Sequence, residues 1–146
     1  GHCLPVDPYY LTYAARKKKY NSKVTLSGRF INDFMTNFVI KETNKKVKDT
    51  FKNKSNPKIC VLGLTYKYGV SDIRNSQKIV IFQKLKKKYK QTYGFDPFLI
   101  KKKFVNKIDY KNTDYFLFLT KGKLFRKIHS QLNKRKIIDP FYYYSD

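Results

Sequence analysis

The hydrophobic residues follow a helical spacing over the first 51 residues. One apolar stripe recurs at i, i+3, i+4, i+7 and i+8, and it consists of Ile31, Phe34, Met35, Phe38 and Val39. This spacing places all five side chains on one face of a helix. We expect that helix to begin near a Ser27 cap and to continue to about Phe51. A shorter helix is expected over residues 9–19, with Pro8 next to its first turn.

After residue 57 the apolar residues come in short runs that polar segments separate. The run at 58–64 is continuously apolar, as in a strand buried on both faces, and further strands are predicted at 92–97, 114–120 and 136–139. Helical patterns follow two of them, one beginning near Asn75 or Ser76 and one over residues 123–132. Strands that alternate with helices predict a parallel sheet covered by helices. The predicted fold class is therefore α/β, with a helical segment followed by a small Rossmann-like parallel-sheet domain.

The segment NKSNP at 53–57 separates the two patterns. Its polar residues and its proline indicate a linker. We therefore expect two parts: residues 1–55, which are mainly helical, and residues 56–146, which form the Rossmann-like domain. A chain of 146 residues is long enough for one domain and part of another.

Ligands of open parallel sheets bind beyond the carboxyl ends of the strands. In this chain the loop after Leu64 lies at that edge. The loop has no GxGxxG motif, because Gly63 and Gly69 are too far apart to form a tight phosphate-binding turn. We therefore do not expect this half of the chain to bind a dinucleotide by itself.

The formal net charge is +23, from 33 Lys and Arg residues against 10 Asp and Glu residues. Such a charge is typical of proteins that neutralise nucleic-acid phosphates. The cations are 28 Lys and only 5 Arg, whereas base-reading sites favour Arg for its bidentate contacts. The lysines are spread along the whole chain, and the enriched residue types share AT-rich codons. We favour compositional drift as the explanation and expect no nucleic-acid partner.

The two cysteines do not indicate a metal site or a disulfide framework. Cys3 and Cys60 share no CxxC spacing, and Cys60 lies in an apolar run that predicts a small buried residue. His2 and His129 are scattered without ligand spacing, so no metal is expected. No apolar run approaches the roughly 18 residues of a membrane span, so no membrane partner is expected. A cytoplasmic, reducing location fits these features.

Several motifs in order along the chain carry a resemblance to a known family. They are GHCLPVDPYYLTY at 1–13, RFINDFM at 29–35, VLGLTYKYGVSDIRNS at 61–76, FDP at 95–97 and DYFLFLT at 114–120. Together they resemble the C-terminal part of the UDP-glucose/GDP-mannose dehydrogenase family, and most of all its branch that acts on UDP-N-acetylhexosamines. The resemblance implies that the chain is the tail of a longer enzyme, without the family's N-terminal NAD-binding domain.

The resemblance also implies a twofold oxidation of a sugar C6 alcohol to a carboxylate with two NAD+. Cys3 would attack the aldehyde that the first hydride transfer forms and give a thiohemiacetal, which the second hydride transfer converts to a thioester. A thiol suits this role because it is partly ionised near neutral pH. Asp7 matches the family's loop carboxylate, which helps to handle the water and protons of hydrolysis. From the residues alone, a buried thiol and a turn residue before Pro8 remain the alternatives.

The loop TYKYGVSDIRNS supplies further site residues by the same resemblance. Tyr66 and Lys67 match a substrate-binding pair, and Arg74 matches an arginine that reaches NAD across the domain cleft. The alternatives are a surface lysine and a loop contact between Arg74 and Asp72. The chain departs from the family at 139–142, where Asp-Pro-Phe-Tyr replaces Asp-x-Arg-Gly, so the substrate-contacting arginine is missing.

The function hypothesis is therefore part of an NAD-dependent UDP-N-acetylhexosamine 6-dehydrogenase for surface-polysaccharide synthesis, inactive as an isolated fragment. His2 favours this branch, because the UDP-glucose branch more often has serine there. The alternatives are a UDP-glucose 6-dehydrogenase fragment, a UDP-binding module without turnover, a decayed gene product and a basic nucleic-acid binder. The intact enzyme is expected to be a homodimer. Phe34, Phe38 and Val39 would contribute to its dimer surface or pack on their own domain.

Overall fold

A computed structural model describes residues 3–50, 56–99 and 107–144. The chain divides into two compact units, Gly1–Phe38 and Val39–Asp146. Phe51, the predicted end of the long helix, and residues 53–55 of the predicted linker lie outside the described residues. The division into domains 1–55 and 56–146 therefore stays a prediction. No helix within the described ranges is both long and apolar enough to span a bilayer.

The first unit contains helix α1 (Asp7–Lys17) and the amino-terminal part of helix α2 (Lys23–Thr50). The Tyr9 hydroxyl donates a hydrogen bond to Asp33 Oδ2 at 3.1 Å. Arg29 donates to Asp33 Oδ1 at 3.2 Å, one turn away on the same helix. Asp33 therefore joins α1 to α2 within this unit.

Helix α2 begins at Lys23, upstream of the predicted Ser27 cap, so that prediction was wrong. The Leu26 N–H donates to the Ser22 carbonyl at 3.1 Å, and this bond closes a helical turn before Ser27 is reached. In the predicted apolar stripe, Val39 is fully buried whereas Phe34 is 47% exposed. The stripe thus contains both a core residue and an accessible aromatic residue.

The second unit contains a four-stranded parallel sheet with the order β2-β1-β3-β4. The strands are β1 (Ile59–Leu62), β2 (Tyr93–Phe95), β3 (Tyr115–Phe118) and β4 (Ile137–Ile138). Helix α3 (Gln77–Lys88) follows β1, helix α4 (Lys123–Ser130) follows β3, and a short 3-10 helix (Lys134–Lys136) leads into β4. The predicted α/β fold class is confirmed, although each strand is shorter than the run that predicted it.

The central strands β1 and β3 are buried on both faces of the sheet. Every residue of these two strands is 0% exposed, which explains why their sequences are continuously apolar rather than alternating. Phe125 and Ile128 of α4 belong to the same apolar cluster as Phe116 and Phe118 of β3. The strands are parallel, so the carboxyl ends of β2, β1 and β3 lie side by side at one edge of the sheet.

Candidate functional site

Gly63 begins the predicted ligand-binding loop at the carboxyl edge of the sheet. Its φ is +83°, and its N–H donates to the Phe95 carbonyl at 3.0 Å. A Cβ atom on Gly63 would lie 2.5 Å from Cβ of Thr120. The left-handed backbone and this close contact together exclude a side chain. Gly63 therefore lets the segment after β1 pass next to the segment after β3.

Asp96 follows β2 directly and is the buried anion of this edge, at 4% exposure. Its Oδ2 accepts hydrogen bonds from the N–H groups of Leu64 at 2.7 Å and Thr65 at 2.9 Å, and from Thr65 Oγ1 at 2.9 Å. Its Oδ1 accepts from the Phe98 N–H at 3.0 Å. Four donors therefore satisfy the two carboxylate oxygens. Asp96 fixes the direction in which the chain leaves β1.

Lys78, in the first turn of α3, holds the same chain reversal from the other side. Its ammonium donates to the Thr65 carbonyl at 2.9 Å and to Thr120 Oγ1 at 2.6 Å, and the Tyr66 carbonyl lies at 3.5 Å. Burial lowers the pKa of Lys78, while the Asp96 carboxylate acts in the opposite direction. Three oxygens use the three ammonium donors. Lys78 is therefore a group that positions the loop.

Neither Asp96 nor Lys78 had a predicted role. The position of Lys78 in the first turn of a predicted helix could have indicated a special role. The positive end of the helix dipole disfavours a lysine there. Such a lysine therefore needs another reason to be there. Asp96 belongs to the FDP motif, but only the pairing of β1 with β2 reveals that its carboxylate reaches the end of β1.

The predicted loop residues lie between these anchors and α3. The Tyr66 N–H donates to the Asp72 carbonyl at 2.7 Å and closes the loop. Arg74 Nη2 lies 2.7 Å from Asp72 Oδ2, and this hydrogen bond raises the pKa of the guanidinium. Lys67 is exposed and Tyr66 is half-buried. The structure brings Tyr66, Lys67 and Arg74 onto one loop, and it contains the Arg74–Asp72 contact that was the alternative for Arg74.

Tyr68 anchors the loop on the carboxyl-terminal side of Lys67. A Cβ atom on Gly122 would collide with the ring of Tyr68, so the glycine makes room for the ring. The same ring meets Phe98 and Phe125 edge-on, at centroid distances of 5.0 and 6.0 Å. The backbone is thus fixed on both sides of Lys67, while the Lys67 side chain extends into solvent.

The predicted catalytic pair lies in the first unit. The Cys3 carbonyl accepts hydrogen bonds from the N–H groups of Val6 and Asp7, both at 2.8 Å, and this turn leads into α1. Cys3 and Asp7 are both exposed, so Cys3 is not the buried thiol of the alternative interpretation. Accessibility is what a nucleophilic cysteine requires, and the catalytic roles stay predictions. His2 lies outside the described residues.

The segment after β4 has the left-handed backbone conformation that favours glycine, although no glycine stands there. Tyr142, at the predicted glycine position of Asp-x-Arg-Gly, has φ +53°. Phe141 takes the place of the missing arginine, and its ring lies 5.2 Å from that of Tyr143. Asp139 Oδ2 accepts from the Tyr144 N–H at 3.1 Å, whereas Oδ1 is buried without a hydrogen-bond partner among the described residues.

Cys60 is a core residue, as predicted. It lies in β1 with 0% exposure, and burial raises the pKa of its thiol to about 12. A thiol in this state is not a nucleophile near neutral pH. Within the part of the chain that the structure describes, no group of three or more His, Cys, Asp or Glu side chains is placed to hold a metal ion.

Comparison with known proteins places this geometry in a family. Residues 60–145 match the UDP-glucose/GDP-mannose dehydrogenase family, UDP binding domain. The UDP-N-acetyl-D-glucosamine 6-dehydrogenase of Pseudomonas aeruginosa is 33% identical over 99 residues, which are 68% of this chain and 24% of that protein. Protein CapL of Staphylococcus aureus is 38% identical over 86 residues, which are 59% of this chain and 20% of that protein.

The solved structures agree with this match. The UDP-N-acetyl-mannosamine dehydrogenase Cap5O from S. aureus superposes with a TM-score of 0.76 at 28% identity, over 100% of this chain and 35% of that one. The chain thus spans about a third of that structure, and about a quarter or less of the two curated relatives. The family match covers more than half of the chain, and the predicted resemblance is confirmed. The chain belongs to the UDP-glucose/GDP-mannose dehydrogenase family and carries its UDP-binding domain.

Proposed function

We propose that this chain is the C-terminal part of an NAD-dependent, cytoplasmic UDP-N-acetylhexosamine 6-dehydrogenase that serves surface-polysaccharide synthesis. The observation that carries the proposal is the UDP-binding-domain match over residues 60–145, which includes the loop of Tyr66 and Lys67. Relatives named as UDP-N-acetyl-D-glucosamine and UDP-N-acetyl-D-mannosamine dehydrogenases support an N-acetylhexosamine substrate over UDP-glucose.

In this proposal the loop after β1 holds the UDP-sugar. Lys67 is an exposed cation on a loop whose backbone is fixed by Asp96, Lys78 and Tyr68. Its ammonium would pair with phosphate or sugar oxygens, and the neighbouring Tyr66 would contact the same ligand. A loop that is ordered before binding loses little conformational entropy when the ligand arrives.

Cys3 and Asp7 would carry the covalent steps. After C6 loses a first hydride and its hydroxyl loses a proton, the Cys3 thiolate adds to the aldehyde carbon, the carbonyl π electrons move to oxygen, and the thiohemiacetal forms as its oxyanion. Loss of a second hydride from that carbon gives a thioester. Water then attacks the thioester carbonyl, Asp7 takes a proton from the water, and the carbon–sulfur bond breaks to release the carboxylate and the thiol.

We propose that the described residues do not form an NAD site by themselves. The loop after β1 has no glycine-rich phosphate turn, and Arg74 would be the residue of this loop that reaches NAD across the domain cleft. NAD, the hydride acceptor, would be bound mainly by an N-terminal domain of the intact enzyme. We therefore expect the isolated chain to have no dehydrogenase activity. We also propose that the intact enzyme is a homodimer, with the exposed Phe34 at its contact surface.

Calorimetric titration of the chain with UDP tests the proposal. We expect saturable heat with UDP and at least tenfold weaker binding in Lys67→Met. A matched variant, Lys111→Met, removes the same charge from another exposed position and is expected to bind UDP as the wild type does. Absence of heat with UDP would contradict the proposal and favour a decayed remnant. Steady NADH production by the chain with any UDP-sugar would contradict its predicted inactivity.

A UDP-binding module without turnover is the second candidate, and Phe141 is the observation that favours it. The resemblance expects an arginine there, and the Phe141 ring packs against Tyr143 instead. The Phe141→Arg variant restores the arginine that the family resemblance expects, and it separates the two candidate functions. A catalytic lineage predicts tighter UDP-sugar binding in this variant, whereas a module that has adapted to phenylalanine predicts no gain.

A further inference from the structure

A concave surface lies at the amino-terminal edge of the sheet, opposite the loop of Lys67. It is an open groove of about 420 Å³. Its lining includes four lysines, one threonine and one aspartate: Lys58, Lys86, Lys90, Lys107, Thr92 and Asp109. Lys58 directly precedes β1 and Thr92 directly precedes β2. The groove therefore lies at the end of the strands away from the loop of Lys67, and we call it the lysine groove.

The lysine groove carries an excess of three positive charges, since four lysines face one aspartate. Asp109 is already neutralised, because Lys58 Nζ lies 2.7 Å from its Oδ2. This contact and the hydrogen bonds from Asn112 lower the pKa of Asp109 to about 2. Among the described residues, Lys86, Lys90 and Lys107 have no carboxylate within ion-pair distance. Their charges are available to an anion.

Lysines are frequent in this chain, so their number alone does not define a site. Lys86 lies in the last turn of α3, where it also complements the helix dipole. Lys90 follows the C-cap of the same helix, whereas Lys107 lies outside the described helices, so that explanation does not apply to Lys107. Their convergence with Lys58 on one concavity is a feature of the fold rather than of the composition.

Thr92 supplies an independent observation. It is 2% exposed and lines the lysine groove, and its Oγ1 has no hydrogen-bond partner among the described residues. Buried hydroxyl groups are nearly always paired, so an unpaired one needs a reason. The Oγ1 atom is itself shielded from solvent, so a change of rotamer about the Cα–Cβ bond would bring the hydroxyl to an anion in the groove, to which it would donate one hydrogen bond.

We propose that the lysine groove binds a small oligophosphate, meaning a molecule with two or more phosphate charges, at a site separate from the UDP-sugar loop. The volume of about 420 Å³ falls in the range of small-molecule sites, about 300–1,000 Å³. Lysines act as point charges toward phosphates, and the buried Thr92 hydroxyl adds a directional donor.

The test is a titration of the full chain with inorganic pyrophosphate, followed by residue-resolved NMR. We expect saturable shifts of the amides at 91–93, and the same shifts in Lys67→Met, which lacks the proposed UDP-binding lysine. Three exposed lysines of the groove are replaced together, and we expect at least tenfold weaker binding in Lys86→Gln/Lys90→Gln/Lys107→Gln. The matched control removes the same charge from exposed positions of α2 outside the groove, as Lys41→Gln/Lys45→Gln/Lys48→Gln, and we expect less than a twofold change.

A second variant, Thr92→Val, keeps the side-chain shape and removes the hydroxyl. We expect it to weaken pyrophosphate binding severalfold without lowering the melting temperature, so a loss of affinity cannot be ascribed to unfolding. An equal loss of affinity in the control and groove variants would overturn the site, since it would indicate general attraction to a basic surface. Loss of the shifts at 91–93 in Lys67→Met would also overturn it, since pyrophosphate would then bind at the loop of Lys67.

Discussion

Asp96 and Lys78 hold the same chain reversal after β1. Asp96 binds backbone N–H groups there, and Lys78 binds a backbone carbonyl group. The carboxylate accepts the Leu64 and Thr65 N–H groups at 2.7 and 2.9 Å, whereas the ammonium donates to the Thr65 carbonyl at 2.9 Å. Thr65 is thus held through its N–H group by the Asp96 carboxylate and through its carbonyl group by the Lys78 ammonium. Lys67 is two residues further along the chain. The position of the proposed substrate lysine therefore depends on two charged residues that would not themselves contact the substrate.

Asp96→Asn should destabilise the chain by about 3 kcal/mol. An amide has one oxygen and one NH2 group, so it cannot accept from Leu64 and Thr65 on one side and from Phe98 on the other. Charge-assisted hydrogen bonds of this kind contribute roughly 1.5–3 kcal/mol each, and a buried donor left unpaired costs about 1–3 kcal/mol. Chemical denaturation measures the change. Asp49→Asn, at an exposed position, is the control and should change stability by less than about 0.5 kcal/mol.

Lys78→Met should weaken UDP binding about tenfold. The variant keeps the length of the side chain but leaves the Thr65 carbonyl and the Thr120 hydroxyl without their donor, so the loop of Lys67 loses its fixed position. The control is Lys87→Met, an exposed position on the same helix, which should bind UDP as the wild type does. Wild-type affinity in a destabilised Lys78→Met protein would mean that the lysine serves stability alone. Failure of the wild type itself to bind UDP would count against the proposed function instead.

The elements that short-range patterns specify were predicted well. The continuous apolar run at 58–64 predicts a strand buried on both faces, and β1 is completely buried; the strand predicted at 114–120 is β3, which is also completely buried. The Ser27 cap was wrong because a serine near an apolar stripe can also lie inside a helix whose first turn forms earlier. Helix ends depend on a few competing hydrogen bonds and are therefore harder to place than the stripe itself.

The candidate site was predicted only where a local motif carried it. Tyr66, Lys67 and Arg74 share one loop and were found together. Asp96 and Lys78 contact the same loop, although Asp96 lies 31 residues and Lys78 lies 13 residues after Thr65 in the sequence. Such contacts depend on strand order and on the path of α3, which no local pattern contains. The lysine groove was missed for the same reason, because its cations converge only after the sheet has formed.

Tyr142→Gly should stabilise the chain by roughly 0.5–1 kcal/mol. Tyr142 has φ +53°, a conformation that costs an L-residue about 1–2 kcal/mol, and its side chain is 78% exposed. Glycine removes the strain but adds about 0.4–1 kcal/mol of unfolded-state entropy, which offsets part of the gain. Tyr142→Ala removes the same side chain and keeps the strain, so it should not be stabilised. Equal stability of the glycine and alanine variants would show that the strain is absent.

Cys60 should make the chain less stable at alkaline pH. Burial raises the pKa of its thiol from 9.0 to about 12, so the folded state retains the proton that the unfolded state releases. The associated stability is complete below pH 9 and is lost as the pH rises from 9 towards 12. Linkage gives a loss on the order of 2 kcal/mol at pH 10.5.

Replacement by alanine separates this effect from the titration of the lysines and tyrosines. Cys60→Ala lowers stability at neutral pH, because it leaves a small cavity in β1, but it removes the titrating thiol. Urea denaturation of both proteins at pH 8, 9.5 and 10.5 should therefore show a smaller stability difference at each higher pH. A stability difference that stays constant from pH 8 to 10.5 would mean that the pKa of the Cys60 thiol is no higher in the folded chain than in the unfolded one. That result would contradict the prediction from its complete burial in β1.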